Sequence, residues 1–314
     1  MTVNRLRTLA LGLVAVLALL VVGYRNPVAY LLMGTWLPLP LLVVGWRLGV
    51  GAAVLLAAAG GVLVYAAQPG GTVFLEHLGV VLLLLLGVTL SALRQRGWPA
   101  GTAILATVAG LSLAGAAAVL VLTLLQDMTL AAFWDLKSKE LTQSLEGMFQ
   151  QAGWGAGTLQ VMGLPRQEWL HHLSLALPAL MVINLGLVAW LNTLVVFQIA
   201  MALGWPSQEE PLSRWEAPQW LIFPFLAAGF AMLIPVPRVS LAAFNLFLIL
   251  GFVYFGQGVA VLAAVLHRFR APLLLRGVGY FLIFMNPLLM LLVMLLGLLD
   301  LWFDFRRLGK PQET

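Results

Sequence analysis

Two carboxylates near the end of the chain have the spacing of an acid–base pair. Asp300 and Asp304 lie four residues apart in the stretch GLLDLWFDFRR, residues 297–307, and Arg306 and Arg307 follow directly. On a helix, residues four apart share one face, so the carboxylates could act together. Such a pair also needs a partner from another segment, and no obvious one is present. We therefore predict an interface or anchor role, in which Asp304 and Arg307 form a local ion pair at the end of the last span.

Other patterns that carry known chemistry are absent or misplaced. The chain has no HExxH, no GxSxG, no nucleotide-binding loop and no cysteine. The adjacent His171 and His172 would point about 100° apart on a helix, so they cannot share one metal ion. A literal EExxxR string, Glu209 to Arg214, is interrupted by Pro211, and we interpret it as coincidence. The sequence predicts no enzyme, no metal site and no cofactor.

A set of polar side chains lies deep in apolar segments. Polar groups in hydrocarbon cost free energy unless they are paired, so we expect these to face the interior of a bundle. Hydrogen bonds between helices would explain them, and a cavity that binds a ligand or ion is the alternative. The candidate ligand-binding residues are Asn184, Asn192, Asn245, Tyr254 and Gln257.

The composition is that of a membrane protein. Of 314 residues, 62% are hydrophobic and 9% are charged, whereas a soluble domain carries roughly 25% charged residues. The net charge of +5 indicates topology and contact with anionic lipid, because no basic stripe interleaved with aromatics indicates nucleic-acid binding. We predict an all-α, polytopic transmembrane bundle.

Nine apolar segments indicate about eight or nine spans. The second holds three prolines and is expected to be broken or re-entrant, and the ninth is expected to kink at Asn286-Pro287. The first resembles a signal peptide but has no small-x-small cleavage site before Arg25, so we interpret it as a retained span with a cytoplasmic N-terminus. The segments are 8–23, 27–45, 49–66, 73–93, 99–125, 169–202, 218–236, 240–266 and 272–303.

A polar stretch divides these segments. Apolar residues such as Phe133, Leu141 and Leu145 recur at helical spacing within residues 126–168, which predicts an amphipathic interfacial helix between the fifth and sixth spans. The predicted organisation is a five-segment bundle over 1–125, the amphipathic segment 126–168 and a four-segment bundle over 169–314.

Small residues repeat every four positions in two segments. Such stripes let helix backbones approach closely, within one bundle or against another membrane subunit. The predicted packing residues are Gly49, Ala53, Ala57 and Gly61 in the third segment and Ala106, Gly110, Ala114 and Ala118 in the fifth.

Several stretches carry a resemblance to a known family. They are PLSRWEAPQW (211–220), YFGQG (254–258) and GLLDLWFDFRR, together with Asn245 and the N-terminal LPLPLLVVGWRLGVGAA (37–53). In these the chain resembles the YybS-like bacterial multi-pass membrane proteins of unknown function, the domain-of-unknown-function family 2232. That family is distantly similar to the S-components of energy-coupling-factor transporters, helical bundles that bind a vitamin or metal and dock on an ATPase module. The resemblance implies a protein of the bacterial inner membrane.

Two functions remain open from the sequence. The first is a small-molecule-binding or transport-associated component of the inner membrane, with the polar set above as its site. The second is a non-catalytic scaffold or assembly factor of the cell envelope. The expected partners are the lipid bilayer and either another membrane subunit or a small-molecule ligand, and no nucleic acid is expected.

Overall fold

Helices account for almost all of the fold. The computed structural model describes residues 2–23, 32–66, 73–151, 160–161, 164–205 and 212–306. The α-helices are α1 Thr2–Gly23, α2 Pro38–Leu48, α3 Val50–Ala66, α4 Val73–Gln95, α5 Ala100–Leu125, α6 Leu130–Gln151, α7 Arg166–Leu175, α8 Leu177–Ala202, α9 Ile222–Ala231, α10 Pro237–Arg268, α11 Leu273–Met285 and α12 Pro287–Phe303. Two 3-10 turns, Leu212–Arg214 and Gln219–Leu221, precede α9, and Gln160–Val161 pairs antiparallel with Leu164–Pro165. The predicted all-α class is confirmed.

The number of helices able to span a membrane is lower than the sequence indicated. Five described helices, α1, α4, α5, α8 and α10, contain a stretch long and apolar enough to cross, and α11 with α12 would make a sixth. The helix of the seventh segment, α9, has 10 residues. In the second segment, α2 has 11 residues and follows the helical residues 32–34 and a turn, while residues 27–31 lie outside the described part of the chain. Ten residues of helix extend only about 15 Å, half of the hydrocarbon core. The polytopic bundle is confirmed, whereas a count of eight or nine spans is not.

The expected kink in the last segment is a full break. Helices α11 and α12 meet at an angle of 106°. The side-chain oxygen of Asn286 accepts hydrogen bonds from the backbone N–H groups of Leu288 (2.9 Å) and Leu289 (3.3 Å). Asn286 thus caps the new helix, and Pro287 occupies a first-turn position where its missing N–H costs nothing.

The amphipathic helix predicted between the fifth and sixth segments is α6. Its Phe133 is buried, and Lys137, one turn further along, forms an ion pair of 2.7 Å with the more exposed Glu140. The stretch GWGAG at 153–157, whose composition predicts a flexible linker, lies outside the described residues.

The chain groups into two compact units. The first comprises Met1–Leu177 and Asn184–Ser207, and the second Pro178–Ile183 and Gln208–Thr314. The core of the first unit is aliphatic and is formed largely by α1 to α5 and α8. The three-part division at residues 125 and 168 stays a prediction.

In the second unit, α10 and α12 cross at two glycines. A Cβ atom at Gly258 would overlap the backbone carbonyl of Val293, and one at Gly297 would overlap the carbonyl of Tyr254. Only glycine permits this approach, which brings the last turns of α12 against the middle of α10. Tyr254, Gln257 and Asp300 lie beside this crossing.

Candidate functional site

Three segments that are far apart in sequence meet in the second unit. Asp300 lies in the last turn of α12, Gln257 lies on α10, and residues 213–217 precede α9. Arg306 follows α12 and contacts both Asp300 and residues 213–216. We call Asp300, Arg306, Gln257 and residues 213–217 the Asp300–Arg306 cluster.

The centre of the cluster is a buried ion pair. The Asp300 Oδ2 atom accepts hydrogen bonds from Arg306 Nη2 at 2.6 Å and from Arg306 Nε at 3.0 Å. The side chains of Arg306 and Asp300 are 1% and 2% exposed. Charges removed from water in this way are compatible with folding only when their remaining hydrogen-bonding capacity is satisfied.

The guanidinium group of Arg306 meets that condition. Its Nη1 donates to the carbonyl oxygens of Ser213 at 3.1 Å and Trp215 at 2.7 Å. Its Nη2 also donates to Glu216 Oε1 at 3.3 Å. With the two bonds to Asp300, all five N–H donors of the guanidinium are used. Arg306 therefore joins the end of α12 to the segment before α9.

Gln257 completes the cluster from α10. Its Nε2 donates to Asp300 Oδ2 at 3.2 Å, and its Oε1 accepts the backbone N–H of Ala217 at 3.2 Å. Both ends of this buried amide are therefore bonded inside the protein. The sequence had placed Gln257 and Asp300 in separate candidate groups, and the structure brings them together.

The end of α12 explains how Arg306 reaches back. Asp304 adopts a left-handed conformation with φ of 40°, so the helix ends at Phe303 and the chain turns. The backbone N–H of Phe305 then donates to Asp300 Oδ1 at 3.0 Å. The prediction that Asp300 and Asp304 share a helical face is wrong, because Asp304 has left the helix. The predicted partner of Asp304, Arg307, lies outside the described residues.

This geometry suits a structural role for Asp300. An acid–base group must exchange a proton with a substrate, but both oxygens of this carboxylate already accept hydrogen bonds from the protein. Breaking a buried ion pair by removing one partner destabilises a protein by about 3–5 kcal/mol. The cluster is therefore suited to hold residues 213–217 against α10 and α12.

Two buried donors of the second unit have no hydrogen-bond partner among the described residues. They are the hydroxyl of Tyr254, a residue with 0% exposure, and the indole Nε1 of Trp215. The Tyr254 ring packs edge-on against Phe225, with centroids 5.3 Å apart, and the Trp215 ring lies beside Gly256. Unpartnered buried donors are uncommon and indicate a bound water, a ligand or a local cost in stability.

Asn245 and Asn192 form hydrogen bonds within the units to which they belong. In the second unit, Asn245 Oδ1 accepts the backbone N–H of Ala179 at 2.9 Å, a first-turn group of α8. In the first unit, Asn192 Nδ2 donates to the carbonyls of Thr35 and Val188, both at 2.7 Å, while its Oδ1 has no partner among the described residues. Asn184 is exposed on α8.

The predicted small-residue stripes divide between packed and open positions. Ala53 is fully buried, and Ala57 packs against the aliphatic core of the first unit. Gly49 has a φ of 100° and separates α2 from α3. At Gly61 and Gly110, no described atom lies within 4 Å of an added Cβ.

The fifth-segment stripe lies on the outer side of its helix. Gly110 and Ala114 are exposed, and Ala106 and Ala118 are partly exposed. The buried face of α5 carries Ala103, Thr107, Leu111, Gly115, Val119 and Thr123 instead. Packing of the predicted stripe against another helix thus stays a prediction.

Two other kinds of binding site would be a cleft and a cluster of metal-ligating side chains. A cleft of about 10 Å³ in the first unit is lined by aliphatic side chains, glycine and methionine, among them Leu20, Leu37 and Val80. Among the described residues, no three histidine or carboxylate side chains form a group that could hold a metal ion.

The sequence did not indicate the connector side of the cluster. Ser213 and Trp215 contribute backbone carbonyls, a role that any residue type can fill, so no side-chain pattern reveals it. Arg306 binds the backbone carbonyls on either side of Arg214, those of Ser213 and Trp215. The signal in the sequence that could have indicated the cluster is the set of stretches that meet there, PLSRWEAPQW, YFGQG and GLLDLWFDFRR.

The comparisons with known proteins give a family without a function. A family model described as "Predicted membrane protein (DUF2232)" matches residues 12–301, a range that includes Gln257 and Asp300. No curated protein and no solved structure matches the chain. Similarity to the S-components of energy-coupling-factor transporters stays a prediction. Because the match covers most of the chain, this protein belongs to the DUF2232 family of predicted membrane proteins.

Proposed function

We propose that the protein is a non-catalytic scaffold or assembly factor of the bacterial inner membrane. In this proposal, the second unit holds residues 212–221 in one conformation, as a platform for another membrane subunit. The observation that carries the proposal is the saturated Asp300–Arg306 cluster, in which every guanidinium donor bonds to the protein itself.

The commitment of the candidate ligand groups favours this function over small-molecule binding. Gln257 and Asn245 were candidate ligand-binding residues, and both bond internally through both ends of their amides. A ligand would have to break these bonds before it could use either residue. Leaving buried polar groups unpaired costs about 1–3 kcal/mol each, which disfavours that exchange.

The outward side of the same segment remains available. Arg214 is exposed, the Glu216 side chain is 52% exposed, and Trp220 is 63% exposed. Tryptophan and arginine contribute much of the binding energy at protein interfaces, and a fixed backbone lowers the entropic cost of association. These residues are the proposed platform.

The test is photo-crosslinking in cells from a probe at position 214. We expect adducts with another membrane protein that disappear in Trp220→Ala, while the melting temperature of the purified variant stays unchanged. A probe at the exposed Lys139 of α6 is the control for random collisions. A clean monomer after mild crosslinking, with no adduct from position 214, would contradict the proposal.

A second variant tests the open stripe of α5. Gly110→Leu should leave the fold intact because the position faces open space, whereas Gly115→Leu should destabilise it, since a Cβ there already lies 3.2 Å from Leu82. If the stripe contacts the partner subunit, Gly110→Leu removes the adducts without lowering the melting temperature.

A second candidate function, small-molecule binding or a transport-associated role, is favoured by the unpartnered donors of Tyr254 and Trp215. A ligand with acceptor oxygens could satisfy such groups. Tyr254→Phe keeps the ring packing and removes only the hydroxyl, so it should abolish any ligand-induced rise in melting temperature. Asn245→Leu and Gln257→Leu are poorer tests because both residues also hold the fold. If a broad metabolite panel shifts no melting temperature, this candidate fails.

A further inference from the structure

A separate group of charges lies in the turn that joins α10 to α11. Arg268, Arg270 and Arg276 fall within nine residues, and the sequence contains no acidic residue between Glu216 and Asp300. Among the described residues none of the three arginines forms an ion pair, and the one hydrogen bond from their side chains joins Arg276 Nε to the carbonyl of Ala271 at 2.8 Å. Arg268 and Arg270 are exposed. The turn is a concentration of unneutralised positive charge.

The length of α10 places this turn at the edge of a bilayer. The helix has 32 residues, which corresponds to about 48 Å, whereas a hydrocarbon core is about 30 Å thick. A helix of this length that crosses the membrane carries its ends into the headgroup region. Arg268 is the last residue of α10, and we therefore expect it at headgroup depth.

Apolar side chains project beside the arginines. Phe269, Leu273 and Leu274 are 78%, 84% and 81% exposed. An aromatic and two leucines would insert among acyl chains while neighbouring guanidinium groups reach the phosphates, which is how basic segments bind anionic membrane surfaces.

The backbone of the turn adds two features. Arg270 has a φ of 50°, and the bonds Arg270 N to His267 O and Ala271 N to Leu266 O, both 3.0 Å, close the end of α10. Glycine is usual at this left-handed position, so arginine is held there at a cost in stability. Directly afterwards α11 begins at Leu273 without a side-chain cap, so no side chain accepts from the first N–H groups of that helix.

We propose that the turn from His267 to Arg276 is a binding site for the phosphate headgroup of an anionic phospholipid. The arginines and the first N–H groups of α11 bind the phosphate, and Phe269, Leu273 and Leu274 contact the acyl chains. The site is distinct from the Asp300–Arg306 cluster and does not depend on the scaffold function.

The test uses the full chain in nanodiscs that contain a photoactivatable phosphatidylglycerol, with the adduct mapped by mass spectrometry. We expect crosslinks on the peptide that spans 267–276, and their yield should fall about fivefold for each arginine removed. Arg268→Gln with Arg270→Gly should therefore lower the yield about 30-fold. Arg5→Gln with Arg7→Gln, which removes equal charge from exposed positions of α1, should leave the yield unchanged.

The melting temperature of each variant distinguishes a loss of lipid binding from a loss of folded protein. Arg270→Gly relieves the left-handed backbone and should keep or raise the melting temperature while it weakens the crosslink. Arg268→Lys with Arg270→Lys keeps the charge and should retain most of the yield.

Three results would overturn the proposal. The first is an equal yield in Arg268→Gln/Arg270→Gly and the unsubstituted protein. The second is an equal loss in the α1 control, which would indicate a general charge effect. The third is displacement of the lipid by inorganic phosphate beyond the effect of sodium chloride at the same ionic strength, which would identify a site for free phosphate. Crosslinks that resist phosphate and depend on Arg268 and Arg270 support a lipid site.

Discussion

At the scale of single residues, Arg306 distinguishes a structural cluster from a catalytic one. A guanidinium that donates to one carboxylate, a second carboxylate and two carbonyls has no donor left for a substrate. The burial of Arg306 and Asp300 is tolerable only because each compensates the other. The stability of the second unit should therefore depend steeply on either residue.

The first prediction concerns the charge of Asp300. Asp300→Asn leaves the Arg306 guanidinium buried without a counter-charge, and we expect the free energy of unfolding to fall by about 3–5 kcal/mol. Denaturant unfolding of the solubilised protein measures it. Asp135→Asn, at an exposed position of α6, is the matched control and should change stability by less than about 0.5 kcal/mol. A change at Asp300 as small as that of the control would show that the pair does not hold the fold.

The second prediction concerns the pair as a unit. Replacing both members by apolar residues of similar size, Asp300→Leu with Arg306→Met, removes both charges together. The double variant should be more stable than either single variant, because no uncompensated charge stays buried. Additive losses in a double-mutant cycle would contradict direct coupling between the two side chains.

The sequence indicated the polar side chains of the Asp300–Arg306 cluster but not which of them bond to one another. Asp300 and Arg306 were singled out by their spacing at the end of the last segment, and Gln257 because polar residues next to hydrocarbon need partners. The choice of Arg306 over Arg307 depends on the left-handed turn at Asp304, and the acceptors in residues 213–215 are backbone atoms. Neither feature has a side-chain signature.

At the scale of helices, the crossing of α10 and α12 sets the height at which Asp300 meets Gln257. The contact depends on Gly258 and Gly297, where an added Cβ would meet backbone atoms that cannot move aside. Small residues do allow these helices to pack closely, as expected. The expectation was placed on regular four-residue stripes in other segments, however. A glycine pair on two different helices leaves no periodic pattern.

The third prediction tests this crossing. Gly258→Ala and Gly297→Ala should each lower the melting temperature strongly or prevent accumulation of folded protein, because the helices must separate. Gly110→Ala is the control, since its position faces open space and alanine favours helix by about 1 kcal/mol over glycine. If Gly258→Ala melts like Gly110→Ala, the two helices do not touch as described.

Helix lengths were the least predictable property at this scale. Hydropathy identified every apolar segment but could not tell a full span from a short helix, because α2 and α9 are as apolar as their neighbours. Pro38 and Pro287, at which a break and a kink were expected, lie in the first turns of α2 and α12. Capping by Asn286 turned an expected kink into a break of 106°.

At the scale of the whole molecule, composition alone established the class. A chain with 62% hydrophobic and 9% charged residues cannot fold as a soluble domain, and the helices and the family match agree with a membrane protein. The grouping into two units was beyond the sequence, because residues 184–207 contact the N-terminal helices although they follow the amphipathic segment. Long-range contacts of this kind depend on side-chain fit.

The central claim is that the Asp300–Arg306 pair holds the segment before α9 against the end of α12. The chain has no cysteine, so spin labels on Arg214→Cys and Trp302→Cys, both exposed positions of the second unit, report one distance without background. Pulsed electron paramagnetic resonance should give a narrow distance distribution in the otherwise unsubstituted protein and a broad or longer one after Arg306→Gln. An identical narrow distribution in both proteins would contradict the claim.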